Sequence, residues 1–232
     1  ALEAMPDPAA DDELRAALGK LEGKLLIGAI NSLGVRRDAQ AVGGLVEKLK
    51  AADPEVVAAA AEALGHIGGN PAAQALAQSL ASAPDGTRSA VAYGCVICAE
   101  NLLASGKASE AARLYDSVRQ AKVAKQRMLE ATRGAILARQ SDGLPLLLEQ
   151  LRSSDKALFG IGLRAARELP GREVTEALAK EMERLSSDWQ LLLFLALADR
   201  NDAAVLPKIL QVAQSGLKPI RAIALGRLDR FH

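Results

Sequence analysis

The sequence predicts an all-α protein built from repeated pairs of helices, and three observations lead to this class. Of the 232 residues, 46 are alanine and 37 are leucine, two apolar residues of high helix propensity. The β-branched residues number only 24 (12 valine, 9 isoleucine and 3 threonine), which excludes a mainly β protein. A Leu-Gly pair also recurs 31 residues apart, at Leu33-Gly34 and Leu64-Gly65, and such a period indicates an internal repeat.

Each repeat is expected to contain a first and a second amphipathic helix joined by a short polar or glycine-rich turn. Apolar residues three, four and seven positions apart place one apolar stripe on each helix. The first helices are predicted at residues 25–34, 56–65, 127–138, 159–169 and 190–198. The second helices are predicted at residues 38–50, 70–81, 143–151, 173–185 and 203–213. One pair cannot bury its apolar faces alone, so neighbouring pairs are expected to stack.

Turn residues mark the ends of these helices. The dipeptides Asp53-Pro54 and Asn70-Pro71 each supply an N-cap side chain followed by proline in the first turn. Glycine adopts a left-handed backbone at little cost, so it is expected just beyond a helix. The glycines predicted in this role are Gly34, Gly68, Gly69 and Gly171.

The run 63–73 (ALGHIGGNPAA), together with the 31-residue period, resembles the short bacterial HEAT-like repeat that is also known from phycobilin lyase subunits. The resemblance covers most of residues 25–228. It implies an α-solenoid, a right-handed α-α superhelix of about six helix pairs. One unit, at about residues 88–122, is longer, and its residues 99–115 are similar to a tetratricopeptide hairpin.

The domain organisation is expected to be simple. Residues 1–12 are rich in alanine, proline and aspartate and are predicted to be a disordered lead-in, with a helix over 12–26. Residues 13–232 are predicted to form a single HEAT-like repeat domain. Residues 219–228 restart a first helix, with Leu225-Gly226 matching the earlier Leu-Gly pairs. We therefore expect either a fragment of a longer protein or an array whose last helix caps itself.

Charge and hydropathy exclude several classes of partner. The formal net charge is +1 and only 3% of the residues are aromatic, which disfavours binding to nucleic acid. The longest apolar runs are far shorter than a bilayer span, so membrane insertion is not expected. Residues 1–105 carry a net charge of −5, whereas residues 106–232 carry +6. The sequence does not distinguish a cytoplasmic from an extracytoplasmic location.

The sequence contains no H-E-x-x-H, G-x-S-x-G or G-x-G-x-x-G motif. Cys95 and Cys98 form a C-x-x-C within a helical run, where small buried core residues are the preferred interpretation and a redox pair is the alternative. His66 is predicted to meet free carbonyl groups at a helix C-terminus. Zinc needs about four ligands, and the chain offers too few soft donors. We therefore expect no catalytic residues, no metal and no cofactor.

One cluster of positive charge stands out between residues 113 and 139. It contains Arg113, Arg119, Lys122, Lys125, Arg127, Arg133 and Arg139, against two acidic residues. An acidic partner or a phosphate group is the sharpest electrostatic hypothesis for this segment. A merely solvated surface is the alternative.

The resemblance implies that second helices line the concave face of a solenoid and bind extended partners there. Outward polar positions on these helices alternate in sign, which suits a protein or peptide better than a polyanion. With the basic segment, the predicted binding residues are Gln74, Gln78, Arg113, Arg119, Lys122, Lys125, Arg127, Glu149, Arg152, Lys180, Lys208 and Gln211.

The leading functional hypothesis is a non-enzymatic, monomeric scaffold for protein–protein interaction, attached to other domains. The alternative from the resemblance is a bilin-lyase-like or tetrapyrrole-handling enzyme or chaperone. An unused, hydrated groove is the third interpretation.

Overall fold

The computed structural model describes residues 8–200, 202–216 and 218–228, and over these residues it contains helices and no strand. The chain separates into two compact units, Ala1–Ala138 and Arg139–His232, here called the amino-terminal and the carboxy-terminal unit. The helices are α1 (Pro8–Ala17), α2 (Gly23–Val35), α3 (Val42–Lys48), α4 (Pro54–Ile67), α5 (Gly69–Ser82), α6 (Asp85–Ala104), α7 (Ala108–Gln120), α8 (Lys125–Ala138), α9 (Leu144–Leu151), α10 (Lys156–Glu168), α11 (Arg172–Met182), α12 (Ser187–Ala198), α13 (Leu206–Ser215) and α14 (Lys218–Leu228).

In the amino-terminal unit the first helices form one layer and the second helices form another. The first helices α2, α4, α6 and α8 pack side by side in chain order. The second helices α3, α5 and α7 also neighbour one another, and each packs on the first-helix layer. The helix α1 packs against α2. This arrangement turns the apolar stripe of every helix toward one shared core.

Close approach of the first helices depends on the repeated Leu-Gly pair. A Cβ atom on Gly34 would lie 2.8 Å from the Cα of Ala63, and one on Gly65 would lie 2.8 Å from the carbonyl oxygen of Gly94. These glycines therefore let neighbouring backbones touch. The prediction of a left-handed turn at Gly34 is wrong, because Gly34 is buried within α2 and the positive φ of that turn falls on Arg37, at 51°.

The longer unit predicted at about residues 88–122 is present as α6 and α7. The helix α6 runs for 20 residues, and Gly106, with a φ of 76°, makes the turn into α7. The Tyr115 ring on α7 is buried against Gly134 of α8, at a position where any Cβ would overlap the ring. A bulky aromatic opposite a glycine thus fixes how α8 follows this irregular pair.

The carboxy-terminal unit repeats the two-layer arrangement with α9 to α14. The first helices α10, α12 and α14 pack in order, and the second helices α9, α11 and α13 lie on them. A 3-10 turn precedes α13, just as one precedes α3, and Asp202 and Asp38 cap these turns in the same way. Each aspartate accepts a hydrogen bond of 2.9 Å from the backbone N–H two residues later.

The helices predicted from the sequence are found with ends close to those expected, with one exception. The helix predicted at 12–26 is wrong: α1 begins at Pro8, and α2 starts separately at Gly23, where a φ of 54° interrupts the helix. Residues 8–12 of the predicted disordered lead-in are therefore helical, and residues 1–7 lie outside the described residues. The single repeat domain expected over residues 13–232 stays a prediction.

Candidate interaction clefts on the second helices

A large cleft lies on the second-helix layer of the carboxy-terminal unit, between α11 and the segment that leads into α13. Its volume is about 630 Å³. The floor is made of small side chains, Ala179, Ala203, Ala204 and Pro207. The rim is polar and consists of Arg172, Glu176, Lys180, Glu183, Asp202, Lys208 and Gln211. We refer to it as the α11–α13 cleft.

Two ion pairs neutralise most of the charge on this rim. Arg172 and Glu176, one turn apart on α11, form a contact of 2.8 Å that raises the pKa of the arginine. Lys208 reaches across the cleft to Glu183, with Nζ 2.8 Å from Oε1, and this hydrogen bond lowers the pKa of Glu183. The exposed Lys180 forms no ion pair or hydrogen bond with any of the residues described.

The third carboxylate of the rim, Asp202, is held by neighbouring groups. The Thr175 hydroxyl donates a hydrogen bond of 2.5 Å to Oδ2, and the backbone N–H of Ala204 donates one of 2.9 Å to Oδ1. The hydroxyl hydrogen bond, the backbone N–H and the positive charge of Arg200 together hold the pKa of Asp202 below its ordinary range. Asp202 thus caps the turn before α13 and links it to Thr175 of α11 on one side of the cleft.

Behind Asp202, the Arg200 side chain is buried and caps the end of α10. Its guanidinium donates hydrogen bonds to the carbonyl oxygens of Ala166, Leu169 and Gly171, and to the hydroxyl of Thr175 at 2.9 Å. Burial lowers the pKa of Arg200, while the carboxylate of Asp202 opposes that shift. This arginine joins the end of one first helix to the end of the next.

The amino-terminal unit has a smaller cleft between α5 and α7, of about 200 Å³. The predicted residues Gln74 and Arg113 line it together with Asn70 and Glu110, and both predicted side chains are exposed. Gln78 is exposed one turn further along α5 and lines a separate cleft of about 310 Å³ on the α3 side. We refer to the cleft that holds Gln74 as the α5–α7 cleft.

The predicted binding residue Arg152 connects two second helices. Its guanidinium donates hydrogen bonds of 2.8 and 2.6 Å to the two carboxylate oxygens of Glu181, whose side chain is only 4% exposed. The paired hydrogen bonds lower the pKa of Glu181 and raise that of Arg152. Arg152 therefore ties α9 to α11, whereas Glu149 on α9 is exposed.

Part of the basic segment at residues 113–139 is compensated within the fold. Arg119 pairs with Asp116 at 2.8 Å, and Arg127 pairs with Glu130 at 2.6 Å. The Arg127 guanidinium also lies 4.2 Å from the centre of the Tyr93 ring, a cation–π contact between α8 and α6. Lys122 and Lys125 are exposed, and Arg139 belongs to the other unit.

The structure thus divides several of the predicted binding residues between two separate clefts. Lys180, Lys208 and Gln211 meet in the α11–α13 cleft, and Gln74 and Arg113 meet in the α5–α7 cleft. The sequence missed the contributions of Arg172, Asn70 and Asp202 to these rims. The period offers a signal for such partners, because residues about one repeat apart face each other on successive helices: Arg152 and Glu181 are 29 positions apart.

The two cysteines and the histidine that the sequence offers as candidate chemical groups contribute to the fold instead. Cys95 and Cys98 are buried in α6, and burial raises the pKa of both thiols, that of Cys98 to about 11. The capping role expected of His66 is taken by Asn101, whose side-chain amide donates a hydrogen bond of 2.8 Å to the Gly65 carbonyl. The His66 imidazole lies 3.6 Å from Glu62 instead.

Within the part of the chain that the structure describes, no group of three or more histidine, cysteine, aspartate or glutamate residues is arranged to hold a metal ion. Among the same residues, no helix has the length and apolarity needed to cross a membrane.

Comparison with known proteins places the fold. Residues 12–94 match the family profile described as HEAT repeats. No curated protein matches this chain significantly. Among solved structures, an engineered protein shares 18% identity with this chain at a TM-score of 0.50, over 98% of this chain and 69% of that one.

Two natural proteins are similar at lower TM-scores. One is a chain from the complex of CpcE and CpcF of phycocyanin lyase from Nostoc sp. PCC7120, with 20% identity, a TM-score of 0.44, and coverage of 97% of this chain and 84% of that one. The other is human deoxyhypusine hydroxylase, with 19% identity, a TM-score of 0.40, and coverage of 98% and 86%.

The class of protein follows from the helix pairs, the profile match and the engineered structure. The fold is an all-α solenoid of HEAT-like repeats, and the resemblance predicted from the sequence is confirmed. HEAT-repeat solenoids typically act as scaffolds for protein–protein interaction and are typically non-catalytic.

Proposed function

We propose that this chain is a non-enzymatic interaction module that binds a protein or peptide partner on its second helices. The observation that carries the proposal is the α11–α13 cleft, an open groove of about 630 Å³ on the second-helix layer. Solenoids of stacked helix pairs present such extended surfaces to their partners. The α5–α7 cleft occupies the equivalent position, between two second helices of the amino-terminal unit.

The composition of the clefts favours a polypeptide partner. Their rims combine cations, carboxylates and side-chain amides, and their floors are built from small apolar residues such as Ala73, Ala77 and Ala179. Mixed polar rims around an apolar floor are typical of protein interfaces. Carboxylates such as Glu176 and Glu183 would repel a polyanion, which makes nucleic acid a poor fit.

A tetrapyrrole-handling role remains the alternative suggested by the resemblance. Such a ligand calls for a deep apolar cleft with aromatic side chains on its rim. None of the aromatic residues in the described part of the chain lines the α11–α13 or the α5–α7 cleft. Absorbance spectra recorded after mixing with bilin or haem test this alternative, and a tight stoichiometric complex would favour it over a scaffold.

The scaffold proposal is tested with a variant of four exposed second-helix residues: Gln78→Arg, Arg113→Glu, Glu149→Lys and Gln211→Glu. Proteins retained from the native source are quantified by mass spectrometry for the wild type and this variant. A matched control changes four exposed first-helix residues: Lys24→Glu, Glu62→Lys, Glu100→Lys and Arg164→Glu.

We expect the second-helix variant to lose the retained partners while the first-helix control keeps them. Both variants should keep the helical circular dichroism spectrum, since exposed substitutions usually change stability by less than about 0.5 kcal/mol each. Equal retention by both variants would contradict binding on the second helices.

A further inference from the structure

The balance of charge in the α11–α13 cleft points to one uncompensated group. Arg172 is paired with Glu176, and Lys208 is paired with Glu183. The carboxylate of Asp202 accepts hydrogen bonds from the Thr175 hydroxyl and a backbone N–H, and the charge of Arg200, which donates to the same hydroxyl, balances it from behind. With Arg200 counted, four cations face three carboxylates, and Lys180 is the cation without a counter-ion among the residues described.

We propose that the α11–α13 cleft binds an acidic peptide segment in extended conformation, with a carboxylate side chain of the partner paired to Lys180. This inference rests on the proposed function and names the chemistry of the partner. It also moves the acidic-partner hypothesis away from residues 113–139, where Arg119 and Arg127 already have carboxylate partners.

The floor of the cleft suits an extended main chain. Ala179, Ala203, Ala204 and Pro207 project little from the surface, so a peptide backbone can approach both helices closely. From Arg172 to Lys180, the α11 side of the rim is about 12 Å long. An extended peptide covers this length with about four residues, so one acidic side chain and its neighbours span the cleft.

The neighbours of Lys180 favour a single carboxylate over a phosphate group. Glu176 lies one turn before Lys180 and Glu183 lies one turn after it on α11, and both line the same rim. Their charges are compensated by Arg172 and Lys208, yet they would still repel a dianion placed beside them. A carboxylate carries one negative charge and matches the one cation in excess once Arg200 is counted with the rim.

Selection from a displayed library of random twelve-residue peptides tests the partner chemistry. We expect the wild type to enrich peptides that carry aspartate or glutamate beside small apolar residues. The Lys180→Glu variant should lose these peptides and enrich peptides with lysine or arginine, because reversing the rim charge reverses the preference. The control Lys156→Glu reverses an exposed lysine on the first helix α10 and should select the same peptides as the wild type.

The affinity of one selected acidic peptide, labelled with fluorescein, is then measured by anisotropy. Lys180→Glu should weaken binding at least about tenfold, Lys180→Gln by less, and Lys156→Glu not at all. Unchanged circular dichroism and urea midpoints show that the variants are folded. The inference would be overturned if the Lys180→Glu variant and the wild type bound the acidic peptide with the same affinity.

The failure of this inference differs from the failure of the proposed function. Selected peptides whose binding depends on Arg113 rather than Lys180 would refute the acidic-peptide site and leave the second helices as an interaction surface. If the wild type enriches no peptide at all, the acidic-peptide site and the binding of peptides on the second helices are both refuted.

Discussion

The two units of the molecule hold their repeats together by different means. In the amino-terminal unit, α2, α4 and α6 meet through Gly34, Gly65 and Gly94, where backbones touch. In the carboxy-terminal unit, neighbouring helices are joined by arginine side chains, as in the Arg152 pair with Glu181 and the Arg167 pair with Asp199 at 3.1 Å.

This difference shows that two units of one repeat architecture are destabilised by different changes, one by added volume and the other by loss of charge. Helices in backbone contact have no room for an added methyl group, but their packing depends little on pH or salt. The stability of helices joined by charged groups depends in part on ionisation and ionic strength. At the start of the chain the amino-terminal unit also uses ion pairs, since Arg15 and Arg36 bind Asp38 and Asp11 and hold α1 in place.

The largest effect is expected from Gly94→Ala in the amino-terminal unit. The new Cβ would overlap the carbonyl oxygen of Ala61, so α4 and α6 must separate, and we expect a loss of about 3 kcal/mol in the free energy of unfolding. Urea unfolding measures this loss, and alkylation of Cys95 and Cys98 reports the opening of α6, because both thiols are buried.

The control for this change is Gly28→Ala, at an exposed position of α2 where a Cβ meets no described atom within 4 Å. Alanine has the higher helix propensity, so this variant should gain up to about 1 kcal/mol. A similar loss in both variants would mean that backbone contact is not what distinguishes Gly94.

The second effect concerns the buried arginine of the carboxy-terminal unit. Arg200→Met keeps much of the side-chain volume but leaves the carbonyl groups of Ala166 and Leu169 without their donor, which should cost about 2 kcal/mol. The single tryptophan, Trp189, reports on this unit because its ring centroid lies 3.7 Å from that of Phe159. Its fluorescence during urea unfolding gives the midpoint, and the exposed Arg164→Met variant should match the wild type.

A smaller effect is expected from acid, and it should appear mainly in the carboxy-terminal unit. The folded-state pKa values of Glu181 and Asp202 are lowered, so their stabilising contribution is complete above the ordinary values of 4.5 and 3.8 and is lost as the pH falls through the lowered values. Hydrogen exchange measured from pH 7 to pH 3 should show loss of protection in α9 to α13 before α4 and α6. Protection near α1 should also fall, because Arg36 lowers the pKa of Asp11.

Glu181→Gln isolates this contribution. At pH 7 the variant should be about 1 kcal/mol less stable than the wild type, because Arg152 is half exposed and its pair is partly screened. The difference should shrink toward pH 3, where the wild-type carboxyl becomes protonated. A difference that is constant over this pH range would contradict the charge-based account of this unit.

The smallest effect separates two basic residues of the amino-terminal unit. Arg127→Ala removes both the contact with the Tyr93 ring and the pair with Glu130, which should cost about 1 kcal/mol. Lys122→Ala changes an exposed side chain and should cost less than about 0.5 kcal/mol. Equal urea midpoints for the two variants would show that the Arg127 contact adds nothing to the packing of α8 on α6.

The order and ends of the helices could be predicted because the signals are local. The N-cap Asp53 accepts a hydrogen bond of 2.9 Å from the backbone N–H of Glu55, and Pro54 follows it directly, as the sequence suggests. Gly68, Gly69 and Gly171 adopt positive φ as predicted. Gly34 shows the limit of such reasoning, because whether a glycine turns the chain or admits a neighbouring helix depends on what lies against it.

The candidate site could be predicted only in part. Helical periodicity identifies Gln74, Lys180 and Gln211 as outward polar positions on second helices, and they line the clefts. It does not reveal that Arg152 and Lys208, equally outward in the pattern, are engaged by Glu181 and Glu183 on the neighbouring helix. Such partners lie about one repeat away, so they are set by how successive helices align.

The sequence by itself determined the class of this protein. Alanine, leucine and a 31-residue period are sufficient for stacked helix pairs, since helix formation and amphipathicity depend on residues within a few positions of one another. Only the tertiary structure decided which charges are compensated and which glycines are close contacts. Both depend on distances between atoms on different helices, and these distances leave Lys180, among the charges on the rim of the α11–α13 cleft, without a partner.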